Sequence, residues 1–224
     1  MVDTICPGLY AKLQIGQDER YPISDLKQIE NRYKGNTLSI TVLDPKTALI
    51  VVDLQKGIVA MPTAHPIGQV LQQAGALADA FRRHALPVVL VNVTGGAPGR
   101  TEQTRSFGER PADWADLVPE LNRQAADHLV TKRTWGAFTN TGLDDYLKQQ
   151  GVTQVVLAGV ATSIGVESTA RQAYELGYNV SLALDAMTDM NIDAHGNSIA
   201  RIFPRLGETG STQDILALLD QAHA

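Results

Sequence analysis

A single cysteine, Cys6, in 224 residues leaves no intramolecular disulfide and no cysteine-based metal cluster. No apolar run reaches the roughly 18 residues a membrane-spanning helix needs. The first residues lack a basic region followed by an apolar core, so no signal peptide is read. Together these absences predict a cytoplasmic chain without a membrane partner. Basic residues never exceed the pairs Arg82-Arg83 and Lys132-Arg133, and the net charge is −5. A nucleic-acid surface would gather Lys and Arg on one face, so none is expected and the partner sought is a small molecule.

Cofactor motifs are also missing. Gly95-Gly96-Ala97-Pro98-Gly99-Arg100 does not have the G-x-G-x-x-G spacing and opens no helix, which excludes a dinucleotide site of that type. Asp193 and His195 stand two apart and would point to different faces of a helix. Neither metal nor other cofactor is expected. His65, His84, His128 and His223 have no partner at a useful spacing and are read as surface residues.

What the chain does have is apolar material in short, regular packets. At 44% hydrophobic and 19% charged, it suits one sizeable α/β domain. Residues 1–40 show weak periodicity and are read as an extension that packs on the core or on a neighbouring subunit; "TLSITVL" (37–43) is expected to be an edge strand. The main domain is placed at residues 41–224. There, "TALIVVDLQ", "PVVLVNV", "DHLVTKR", "TQVVLAGV" and "NVSLALDAM" read as strands buried on both faces. Between and after them "VLQQAGALADAFRRHA", "GLDDYLKQQG", "SIGVESTARQAYELGY", "NIDAHGNSIARIFPRL" and a segment near "STQDILALL" read as helices. The alternation predicts a doubly wound, mainly parallel sheet with helices on both faces, a Rossmann-like three-layer sandwich. The Gly/Pro-rich stretch between the second and third strands is too long for a plain connector and is read as functional.

Ligands of such sheets bind outside the carboxyl ends of the strands. Asp53 ends the first strand, Lys132 the third, and the turn Thr162-Ser163-Ile164-Gly165 the fourth, so these residues are expected to converge. A carboxylate at the mouth of a buried strand is partly desolvated, which raises its pKa and suits a proton donor; a turn acid is the bland alternative. Lys132 beside it would hold and tune that acid. Ala161-Thr162-Ser163-Ile164-Gly165 also approaches the nucleophile elbow G-x-S-x-G, and Asp185 and His195 follow in hydrolase order, a minority reading as a Ser163-based esterase or amidase. Arg100 and Arg105 in the long loop could grip a substrate carboxylate, since guanidinium binds it in a two-pronged fashion.

"ALIVVDLQ", "TKRTWGAFTNTGLDDYL", "VVLAGVATSIGVESTARQAYELGYNV" and "LALDAMTD" together resemble the isochorismatase-like hydrolases, a group that includes nicotinamidases. The resemblance covers about Thr47 to Asp189 in order and spacing. It implies a catalytic Asp at Asp53, a Lys at Lys132 and a nucleophilic Cys at position 165, where this chain has Gly165. Thiolate attack on an amide is therefore not available. The isochorismatases proper also lack that cysteine and hydrolyse a vinyl ether, with the Asp as general acid and water as nucleophile. The resemblance further implies a cis peptide at Val160–Ala161, a homo-oligomer (dimer or tetramer), and a substrate pocket to which Gln55, Trp135, Phe138, Ala161, Thr162 and Ser163 are assigned. The alternative is a catalytically silent member that binds a ligand or partner through the same pocket.

Overall fold

The computed structural model describes residues 40–102 and 110–222. Residues 1–39, Arg105 and His223 lie outside this range, and with them the bulk of the expected extension. Six parallel strands form one sheet: β1 (Thr47–Val52), β2 (Val88–Val93), β3 (His128–Lys132), β4 (Gln154–Val160), β5 (Asn179–Thr188) and β6 (Glu208–Gly210). Their spatial order is β3-β2-β1-β4-β5-β6. The chain thus starts in the middle, winds outward one way, and returns to wind outward the other way. The reversal lies between β1 and β4, which are paired from Thr47↔Gln154 to Val52↔Gly159. Helices diverge there and leave a crevice at the carboxyl ends.

Every residue of β1 and β4 is buried, which is why both read as unbroken apolar runs. Alternate residues serve opposite cores. Leu49 and Val51 pack with α2 (Ile67–Arg83) and α6 (Thr212–Ala222); Ile50 and Val52 pack with α3 (Leu143–Gln149) and α4 (Glu167–Glu175). Two shorter helices, α1 (Lys56–Val59) and α5 (Ile192–Asn197), follow β1 and β5. The expected doubly wound α/β fold is the one observed.

Three local expectations need correcting. "GETG" carries no apolar run, yet Glu208–Gly210 forms β6, because the side of β5 turned away from β4 offers Ser181 to Ala183 as pairing partners. The described part of "TLSITVL" is not a strand: the Ile40 N–H donates to the Thr209 carbonyl at 3.1 Å, and Ile40 and Leu43 are held by burial. The helix expected across Asn191–Leu206 breaks into α5, a π-turn at Ser198–Ile202 and a 3₁₀ turn at Phe203–Arg205. Pro204 cannot donate the next backbone hydrogen bond, so an α-helix cannot run through it. At the start of α6, Ser211 and Asp214 cap each other, with Asp214 N–H donating to Ser211 Oγ at 3.1 Å and Ser211 N–H to Asp214 Oδ2 at 2.9 Å.

Candidate active site

Asp53 is the first residue past β1. Its φ of 53° is unusual for a residue with a side chain, and it turns the chain out of the sheet while the N–H still donates to Val91 O at 2.9 Å. Lys132 ends β3, two strands away, a gap of roughly 9–10 Å at normal strand spacing. The four-carbon stem of lysine spans it: Nζ lies 2.8 Å from Asp53 Oδ2. The same ammonium donates to Trp135 O at 2.7 Å and Thr134 O at 3.3 Å. Its three protons are thereby matched to three acceptors, and Lys132 has none left for a substrate.

The two oxygens of Asp53 differ. Oδ2 takes the lysine; Oδ1 is buried with no hydrogen-bond partner. Burial pushes the carboxyl pKa up from 3.8 to about 6, against the pull of the Lys132 charge and hydrogen bond. Near neutral pH this acid can exchange a proton, which an ordinary surface aspartate, ionised throughout that range, cannot do.

Gly165 faces this carboxyl from the π-turn Thr162–Val166 that leads into α4. A β-carbon placed on it would sit 3.2 Å from Asp53 Oδ2, 3.0 Å from Val52 Cγ1 and 3.3 Å from Val160 O. The structure therefore brings Asp53, Lys132 and Gly165 to one point. The turn is tied down on all sides. The Val160–Ala161 peptide is cis. Ala161 O accepts from Ile164 N at 3.0 Å and Val166 N at 3.1 Å. Ser163 donates from N and Oγ to Asp189 Oδ2 at 2.7 and 2.8 Å, and Thr169 Oγ1 donates to Gly165 O at 2.7 Å.

These partners dissolve the serine triad. Ser163 bonds Asp189 rather than a histidine. Asp185 accepts from Thr212 N and Oγ1 at 2.7 and 2.8 Å at the start of α6. His195 is buried, with Nδ1 2.8 Å from Thr162 Oγ1. Burial drives the His195 pKa down to about 4, helped by the neighbouring His65 ring and opposed by Asp189. His65, read as a surface residue without a partner, is half-buried and engaged: Nδ1 meets Thr188 Oγ1 at 2.9 Å, and its ring lies 4.6 Å from that of His195. His128 stacks on Tyr146 at 3.7 Å, and His84 meets Asp220 at 3.1 Å.

The remaining assigned residues scatter. Gln55 is buried with both amide ends engaged, accepting from Val93 N at 2.7 Å and donating to Val93 O and Trp114 O at 3.1 and 3.2 Å; it clips β2 and the following loop to α1. Trp135 is half exposed beside the lysine its carbonyl holds. The Phe138 ring lies 6.0 Å from that of Tyr178, whose hydroxyl donates to Asp144 Oδ1 at 2.7 Å. Arg100 is exposed on its loop. Asp189, absent from the sequence-based list, follows β5 as Asp53 follows β1, and the rule of polar residues at strand ends would have found it. Among the described residues, no cluster of three His, Cys, Asp or Glu is arranged to hold a metal, and no helix is long and apolar enough to cross a membrane.

Comparison with known proteins identifies the family. The model of the isochorismatase domain matches residues 47–214. The isochorismatase family protein YwoC of Bacillus subtilis (strain 168) is 45% identical over 188 residues, which cover 81% of this chain and 97% of that protein. Streptothricin hydrolase of Streptomyces noursei is 36% identical over 149 residues, covering 66% of this chain and 51% of that one. Among solved structures, an isochorismatase family protein from Burkholderia thailandensis superposes with a TM-score of 0.78 at 40% identity, over 81% of this chain and all (100%) of the other.

Proposed function

Because this chain belongs to the isochorismatase family, a family of hydrolases, we propose that Gly165 occupies the seat of the nucleophile, as the resemblance implies, and that the protein is a cysteine-independent hydrolase. Its substrate in this reading is a small carboxylated molecule with a vinyl-ether or related bond. The observation that carries the reading is the buried Asp53–Lys132 pair beside Gly165. Such a pair supplies an acid but no attacking atom, so the nucleophile must be water.

The chemistry follows from the two oxygens of Asp53. Lys132 occupies Oδ2, so the acidic proton belongs on Oδ1, the oxygen without a partner. Oδ1 gives that proton to the terminal carbon of the enol ether, and the double-bond electrons form the new C–H bond. The ether oxygen stabilises the resulting oxocarbenium ion. Water adds to the cationic carbon and loses a proton, and the hemiketal collapses to a ketone and an alcohol. Asp53, left as a carboxylate, is stabilised by Lys132 and recovers the proton released by water. A carboxyl with a pKa of about 6 can occupy both states near neutrality.

Incubation with isochorismate, with pyruvate release followed through lactate dehydrogenase, tests this. Turnover should fall by about 10²–10⁴-fold in Asp53→Asn, the usual worth of a general acid. If neither isochorismate nor an amide and ester panel is turned over, the chain is a ligand-binding member of the family and the proposal fails.

A further inference from the structure

At the amino ends of β4 and β5, opposite the crevice that holds Asp53, lies a second concavity of about 430 Å³. Val42, Tyr174, Gly177, Tyr178, Val180 and Leu206 line its apolar part. Val42, Tyr174 and the adjacent Leu176 are 57%, 54% and 42% exposed, and they are three of the six large apolar side chains exposed among the described residues. Apolar surface gathered in this way marks a binding face more often than chance. The polar lining groups are already occupied. Asp44 Oδ2 accepts from Thr153 Oγ1 at 2.6 Å and Asn179 Nδ2 at 3.0 Å, and Glu208 accepts from Thr41 N and Oγ1 at 2.9 and 2.7 Å. Neither carboxylate is met by a cation among the described residues. The groove thus asks for apolar side chains with positive charge at the rim, not for a polar small molecule.

The chain itself supplies that chemistry at that place. The 39 residues before Ile40 reach the fold at Ile40, which is buried against β6, and Val42 is already a wall of the groove. Within them, "LKQIENRYK" (26–34) carries Leu26, Ile29 and Tyr33 together with Lys27, Arg32 and Lys34 against a single acid, Glu30. Six residues separate Tyr33 from Ile40, and the seven steps between them reach roughly 23–25 Å when extended. We propose that residues 26–34 pack into this groove of their own chain, with the apolar side chains on Val42 and Tyr174 and the cations towards Asp44 and Glu208.

Hydrogen exchange read by mass spectrometry on the full chain and on a chain lacking residues 1–36 tests the contact. Amides of residues 174–180 should exchange at least about tenfold more slowly in the full chain, as expected for a site opened only by local release. Equal exchange overturns the proposal. Protection that grows with protein concentration also overturns it, because the segment would then sit on another copy. A second measurement does not depend on the truncated chain: trypsin should cut the full-length Tyr174→Asp variant after Lys27, Arg32 and Lys34 about tenfold faster than the parent, in line with a raised open population. An unchanged cutting rate overturns the proposal as well.

Discussion

Replacing Asp53 by Asn should make the protein more stable, and only above about pH 4. In the folded chain the carboxyl pKa is raised from 3.8 to about 6. The folded state therefore prefers the acid form, and its contribution is fully present below pH 3.8. It is lost as pH rises through about 6, where the unfolded chain has long since given up the proton. At about 1.4 kcal/mol per pH unit, the loss reaches about 3 kcal/mol at pH 7 and above. Burial of the carboxyl makes this the full effect rather than a screened one. Asn keeps the shape and stays neutral, and Lys132 retains Trp135 O and Thr134 O. The variant should thus gain about 3 kcal/mol at pH 7.5 and less than about 1 kcal/mol at pH 4. Urea unfolding followed by emission of Trp114 and Trp135 reads this directly. With a slope of about 3 kcal/mol per molar, the midpoint should rise by about 1 M at pH 7.5. A midpoint below that of the parent at pH 7.5, or a shift of equal size at both pH values, would refute the argument. The first outcome would mean that the ion pair outweighs the desolvation of its acid.

Gly165→Cys should yield a thiol that reacts with iodoacetamide faster than Cys6 near neutral pH, because the start of the helix and Lys132 both favour a thiolate; Lys132→Met should erase the difference. The same substitution should cost about 1–3 kcal/mol, since its β-carbon meets Val52 Cγ1 at 3.0 Å and that methyl must give way. His195, whose pKa falls from 6.5 to about 4 on folding, stays neutral while the unfolded chain protonates, so its own contribution to stability should drop by up to about 3 kcal/mol as pH falls from 6.5 to 4, opposite in sign to the contribution of Asp53. A pH series of urea midpoints should therefore show His195→Gln gaining on the parent as pH falls from 6.5 to 4. Gly159→Ala should destabilise by about 3 kcal/mol or more, measured in the same way, because φ is 117° and the added carbon would lie 2.0 Å from Val52 O.

Burial of a strand on both faces leaves its mark on consecutive residues, so "TALIVV" and "QVVLAGV" announced the two central strands without any knowledge of their neighbours. The alternation of strand and helix then implied the sheet, and the sheet implied where Asp53, Lys132 and the Gly165 turn would meet. Those steps depend on local periodicity and on topology, both of which sequence carries. Partner choice across long separations is different. Ser163 and Asp189 are 26 residues apart, Thr162 and His195 33, and Gln55 and Val93 38, and nothing in their local patterns says which polar group will face which. Only packing decides that, and it assigned the serine to an aspartate, the histidine to a threonine, and the glutamine to a backbone clamp. The same holds for β6, whose three residues have no strand pattern of their own and pair because β5 extends beside them. The chemistry of Asp53 is likewise tertiary. Sequence places a carboxylate at a strand end; the depth of its burial, the lysine on one oxygen and the lack of a partner on the other set its pKa. Those quantities depend on how closely the surrounding chain excludes water, which no stretch of the sequence records by itself.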